Sequence, residues 1–148
     1  MPQYLRVKLD GGTFFFTVTL ADRSSNLLVQ EIGIFREAYR SVQRRLTFTT
    51  IAICILPEHL HAIWTLPEGD IDYSKRWNLI KGGFSRCLPA SAIRSPSKIA
   101  KREKGIWQRQ YWEHAIRDDD DLARHVDYIP FQPGQARSRF ASLRLAAR

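Results

Sequence analysis

The chain has 148 residues, 44% hydrophobic and 26% charged, which suits one domain with a buried core and excludes a wholly disordered chain. Lys and Arg number 23 against 15 Asp and Glu, a net charge of +8, so a polyanion is the first partner to consider. The best candidate for a membrane span, Ile51-Ala52-Ile53-Cys54-Ile55-Leu56, is only strand length, stops at Pro57 and has no basic leader, so a cytoplasmic protein is expected.

Gly11-Gly12 reads as a turn, and the β-branched and aromatic run from Thr13 to Leu20 as a strand. Asp22 to Asn26 supplies turn and cap residues. From there to about Arg45, Leu27, Leu28, Ile32, Phe35, Tyr39 and Val42 fall at helical spacing. Phe48 to Leu56 is a second strand, Pro57-Glu58 a tight connection, and His59 to Leu66 a third strand. Ser74 to about Cys87 reads as a helix interrupted by Gly82-Gly83. Arg94 to Lys104, carrying five bases and one acid among Pro and Gly signals, is expected to be a mobile loop. Gln110 to Ile116 reads as a fourth strand and Asp118 to Ile129 as a short terminal helix. The order strand, helix, strand, strand, helix, strand, helix predicts an α+β, ferredoxin-like split βαβ fold. Its antiparallel sheet carries helices on one face, plus the C-terminal helix. Residues 1–133 are expected to form this domain and 134–148 a basic tail, with Arg137, Arg139, Arg144 and Arg148 and no acid.

The two cysteines, Cys54 and Cys87, make neither a disulfide framework nor a CxxC metal site and are expected to be reduced. His59-Leu60-His61 is the sharpest local signal. Strand alternation points both imidazoles to one face and Leu60 into the core beneath the helices. Two imidazoles on one face can bind a divalent cation if a third ligand arrives from elsewhere, or can simply be polar residues on a wet face. His114 alternates with Trp112 and Ile116 and suits a sheet face as well as a ligand. His125 lies three residues before Tyr128, so the two can share a helical face. Asp118-Asp119-Asp120-Asp121 complements the helix dipole and reads as a helix start rather than a metal site. Taken alone, Tyr128 near the helix end reads as a packing residue.

Taken together, three ordered blocks resemble a known family. Leu56-Pro57-Glu58-His59-Leu60-His61-Ala62-Ile63-Trp64-Thr65-Leu66-Pro67 is similar to the HUH segment of the REP-associated tyrosine transposases. The segments from Ile106 to Arg117 and from His125 to Ile129 resemble two further blocks of that family, and Gly11 to Val18 its first strand. The resemblance spans about Tyr4 to Ile129. It implies an enzyme that cuts and rejoins single-stranded DNA at imperfect palindromes. His59 and His61 would then bind Mg²⁺ or Mn²⁺, and Tyr128 would be the nucleophile that forms a 5′-phosphotyrosine link. A covalent link conserves the phosphodiester energy, which agrees with the absence of a Walker-type glycine loop.

The family follows its tyrosine with Asn-Pro and a Lys-His-Gly-like turn, whereas this chain continues Pro130-Phe131-Gln132-Pro133-Gly134-Gln135. Gln132 stands in the asparagine position and would offer an amide oxygen as a third ligand. Pro130 removes a helical hydrogen bond and biases Ile129 away from helical angles, so the helix is expected to end at Tyr128. Beyond Gly134 the tail reads as shortened or divergent. The expected partner is single-stranded or hairpin DNA, bound by a monomer, with Arg94, Lys98, Lys101, Arg102, Lys104, Arg137 and Arg139 gripping phosphates. The alternative is a weakly active or inactive relative that binds hairpin DNA without cutting it.

Overall fold

The structure is a computed structural model that describes residues 11–91, 94–101 and 103–129. Its elements run β1 (Thr13–Thr19), α1 (Leu27–Gln30), α2 (Ile32–Arg45), β2 (Thr49–Ile55), β3 (His59–Thr65), α3 (Tyr73–Arg86), α4 (Pro96–Ala100), β4 (Trp112–Ala115) and α5 (Asp119–Tyr128). The four strands form one sheet in the order β2-β3-β1-β4, every neighbouring pair antiparallel. That is the expected split βαβ arrangement, in which each crossover helix carries the chain past one intervening strand.

Side-chain alternation gives the sheet two different faces. Phe14, Phe16 and Val18 of β1, and Leu60, Ala62 and Trp64 of β3, join the larger core with Phe35 and Tyr39 of α2 and Trp77, Ile80 and Phe84 of α3. Trp64 stacks on Trp77 at 4.3 Å between centroids, and its indole N–H donates to the Tyr39 hydroxyl at 2.8 Å. Tyr39 in turn shares a 2.6 Å bond with Thr50, so the buried polar atoms at this junction satisfy one another. Each such large buried side chain contributes about 1.5–3 kcal/mol. On the opposite face Phe15, Ala52, Cys54, Leu56 and Ile63 form a smaller cluster with Ile116 and Ile129, covered by Leu122 and Val126 of α5.

Several boundaries differ from expectation for identifiable reasons. The single helix predicted from Leu27 to Arg45 is two, because the backbone turns at Glu31 (φ −111°, ψ 38°). The carbonyl of Glu31 then accepts from the N–H groups of Ile34 and Phe35 and restarts the helix. By contrast, Gly82-Gly83 does not interrupt α3. A Cβ on Gly83 would sit 3.1 Å from the Ala38 Cβ, so this glycine permits the close approach of α2 and α3. The segment expected to be a mobile loop contains α4, capped by the Ser95 hydroxyl, which accepts from the Lys98 N–H. Cys54 is buried and Cys87 exposed, both as free thiols. No helix among the described residues is long and apolar enough to cross a membrane.

Candidate active site

Sheet register assembles the site. Cys54, His61, Thr17 and Trp112 lie side by side across β2, β3, β1 and β4, and Ala52, Ile63, Phe15 and His114 form the next row. All face the smaller cluster, away from the two long helices. His59 occupies the same face two residues before His61, opposite Thr19. The imidazole pair expected from alternation therefore exists, with ring centroids 4.8 Å apart.

The two rings have different surroundings. His59 is partly exposed, and its Nδ1 lies 2.8 Å from Glu58 Oε1, while Glu58 Oε2 accepts from Arg23 at 3.0 Å. Burial pushes the Glu58 carboxyl up, but bonds from His59 and Arg23 outweigh it and hold the group below its ordinary value. His61 is 4% exposed, and its Nδ1 lies 2.9 Å from the Thr17 hydroxyl. Burial, aided by the nearby His59, pushes its pKa down to about 4 against the opposing pull of Glu58, so the ring is neutral at pH 7. Its Nε2 is buried with no hydrogen-bond partner among the described residues. A buried ring nitrogen without a described partner, on a neutral imidazole beside a second one held by a carboxylate, fits a divalent metal ion.

Tyr128 ends α5 above this pair. Its ring lies 5.1 Å from that of His61 and 6.4 Å from that of Phe15, and the residue is 53% exposed. Tyr111, the other tyrosine of the C-terminal half, is on the opposite side of the sheet. Its ring packs on Phe16 and Trp77, its hydroxyl lies 3.1 Å from that of Ser74, and burial raises its pKa. Ile129 keeps helical angles (φ −66°, ψ −50°) and bonds the His125 carbonyl, contrary to the bias expected before Pro130. Its full burial in the smaller cluster outweighs that local preference. Pro130, Gln132, Arg102, Arg137, Arg139 and the tail 134–148 lie outside the described residues.

The acidic run does more than start a helix. Asp118 caps α5 by accepting from the Asp121 N–H at 2.8 Å, as expected of a helix start. Asp121 is instead buried, and one of its oxygens accepts from His114 Nε2 and from the Arg117 N–H, both at 2.9 Å. His125 donates from Nδ1 to the Asp121 carbonyl and lies 3.2 Å from its carboxylate. His114, Asp121 and His125 thus form a group that could hold a metal ion, their ligand atoms within 4.8 Å of one another. Arg117 and Arg124 approach the same carboxylate at 3.7 and 3.6 Å, so cations already surround its charge. An ion-pair hub that fastens α5 to β4 is the arrangement these distances describe best.

Three residues expected to grip phosphates are bonded within the chain. Lys104 Nζ donates to the carbonyls of Ser85 (2.9 Å), Arg86 (3.4 Å) and Leu88 (2.7 Å), satisfying the C-terminus of α3. Lys98 Nζ donates to the Trp107 carbonyl and Arg94 to the Glu103 carbonyl. Lys101 remains exposed. The local sequence shows no sign of the roles of Thr17 and Asp121, because they act through cross-strand and strand-to-helix contacts. Glu58 next to His59 is the one neighbour a sequence reading could have paired.

No protein-family model matches this chain. It is 46% identical over 134 residues to a Haemophilus influenzae protein named "Putative REP-associated tyrosine transposase", covering 90% of this chain and 76% of that protein. It is 44% identical over 133 residues to an Escherichia coli K12 protein named REP-associated tyrosine transposase, covering 90% and 73%. A solved structure of a REP-associated tyrosine transposase bound to a REP hairpin superposes with a TM-score of 0.67 at 46% identity. The match covers 81% of this chain, which spans 65% of the length of that one.

Proposed function

Because the chain belongs to the REP-associated tyrosine transposases, we propose that it cleaves and rejoins single-stranded DNA beside a hairpin, with Tyr128 as nucleophile. The observation that carries this reading is the placement of an exposed tyrosine ring 5.1 Å from a buried imidazole whose Nε2 has no described partner. His59 and His61 would hold a divalent cation, Mg²⁺ or Mn²⁺, with Gln132 as a third ligand from the residues that follow. Such a cation polarises a phosphate oxygen and stabilises charge that develops during displacement. A phenol has a pKa near 10 and is mostly protonated at neutral pH, so it needs that assistance. The Tyr128 oxygen loses its proton and bonds to phosphorus; the bond from phosphorus to the 3′ oxygen breaks, and that oxygen takes up a proton. Attack by a 3′-hydroxyl in the reverse sense rejoins the strands and releases the tyrosine.

Phosphate contacts fall to Lys101, which is exposed, and to Arg102, Arg137 and Arg139, which lie outside the described residues, within a domain of residues 1–133 and a basic tail 134–148. Incubating the protein with end-labelled hairpin DNA and Mg²⁺ or Mn²⁺ tests the whole reading. A covalent adduct that survives denaturation is expected. Hairpin retention without an adduct would replace the enzyme with a hairpin-binding relative, and no retention would overturn both.

A further inference from the structure

Trp112 is out of place if packing is its only role. It is 64% exposed on an edge strand, whereas the other three tryptophans, Trp64, Trp77 and Trp107, are 0–8% exposed. It stands in the same cross-strand row as Thr17 and His61, on the same face. Two strand spacings, about 10 Å, separate its backbone from that of His61. Between them lies an open cavity of about 450 Å³, lined by Thr17, His61, Trp112, Arg124 and Tyr128 over Phe15. One end of this cavity therefore presents the imidazole and the tyrosine, and the other a large aromatic surface open to solvent, with a guanidinium on the rim. Among the described residues the other large exposed aromatic on this cavity is Tyr128 itself, so the exposed surface is two rings flanking one cavity rather than a broad apolar patch seeking another protein.

Resting on the reading of the site as a DNA-cleaving centre, we propose that Trp112 is a stacking platform for an unpaired nucleobase next to the phosphate at Tyr128, with Arg124 facing the adjoining backbone. An aromatic face accepts any base through its π surface, which suits a strand held single-stranded. The phosphate and its neighbouring base then occupy opposite ends of one cavity, and stacking fixes which phosphate faces the tyrosine. A base inside a duplex has both faces covered by its stacked neighbours, so the platform favours DNA whose strand is unpaired and unstacked at that point.

Trp112 is also by far the most exposed of the four tryptophans, 64% against at most 8%, which makes it its own reporter. The test titrates the protein with two hairpins of identical stem, one blunt and one with a four-nucleotide single-stranded tail on each side. The tailed hairpin is expected to quench tryptophan emission and the blunt one to leave it nearly unchanged. In Trp112→Phe the quench disappears while most tailed-hairpin affinity remains. Trp112→Ala is expected to weaken the tailed hairpin roughly 5- to 100-fold and leave the blunt one unaffected. An equal quench by both hairpins, a quench that survives in Trp112→Phe, or equal affinities for the tailed hairpin in Trp112→Ala and the unmodified chain would overturn the platform. In each case hairpin binding would leave the functional reading standing, whereas failure to bind either hairpin would remove both.

Discussion

Tyr128→Phe deletes one oxygen and keeps the ring against His61 and Phe15. The covalent DNA adduct should vanish while hairpin affinity and Tm barely move. Tyr111→Phe should retain the adduct, because that hydroxyl points at Ser74 beneath the sheet. Both outcomes are read from one denaturing gel, and an adduct in Tyr128→Phe would move the nucleophile elsewhere. His61→Ala removes the orphaned Nε2 together with the Thr17 contact. It should abolish adduct formation in Mg²⁺ or Mn²⁺ and leave hairpin retention intact; undiminished adduct would dismiss the His59–His61 pair as the cation site. Alternation along His59-Leu60-His61 was enough to put both rings on one face. The sequence could not separate the two, since their difference comes from Thr17 and Glu58 and from burial beneath Tyr128. The same limit hid Asp121. Within Asp118 to Asp121 all four residues look alike, and only the cross-strand placement of His114 singles one out.

At the scale of elements, α3 is held to the α2–β2 connection by one buried guanidinium. Arg76 donates to the carbonyls of Leu46, Thr47 and Asp72 and to both oxygens of Asp70. Arg76 bonds, followed by the Asp72 N–H, hold the Asp70 carboxyl below its ordinary value against a smaller effect of burial. A carboxyl depressed in the folded state adds stability that is full above its unfolded pKa, near 4, and is lost as pH falls through the folded value. Asp70→Asn should therefore lower Tm at pH 7, and the gap to the unmodified chain should close as the buffer is taken below about pH 4. Since Asp70 is about one-third exposed, solvent screening limits the effect to about 1 kcal/mol, a few degrees in Tm. A gap that stays constant down to pH 3 would show that the ion pair contributes nothing. Element order and type were legible because each strand and helix has its own period. The break at Glu31 was not, because the apolar residues on either side of it continue at the same spacing.

Over the whole molecule the excess of positive charge mixes bases bonded within the chain with bases proposed to meet DNA, and composition cannot tell the two apart. Lys104 is committed to the end of α3, so Lys104→Gln should lower Tm and leave the salt dependence of hairpin binding unchanged. Replacing Lys101, Arg137 and Arg139 together by Gln should do the opposite, with the slope of log K against log salt falling by about 0.7–0.9 for each phosphate no longer neutralised. Equal slopes in all three proteins would leave the tail and α4 as solvated segments.

The sheet also divides the consequences of mutation. Leu60, Ala62 and Trp64 point into the larger core, while His59 and His61, on the same strand, point out of it. Most of the folding free energy is gathered on one side and the proposed chemistry on the other. Substitutions that end the proposed DNA cleavage can therefore accumulate with little loss of folded protein. Selection for expression or thermal resistance alone would be blind to them, and copies of this gene released from selection on activity would be expected to fail at Tyr128, His59 or His61 long before they fail to fold.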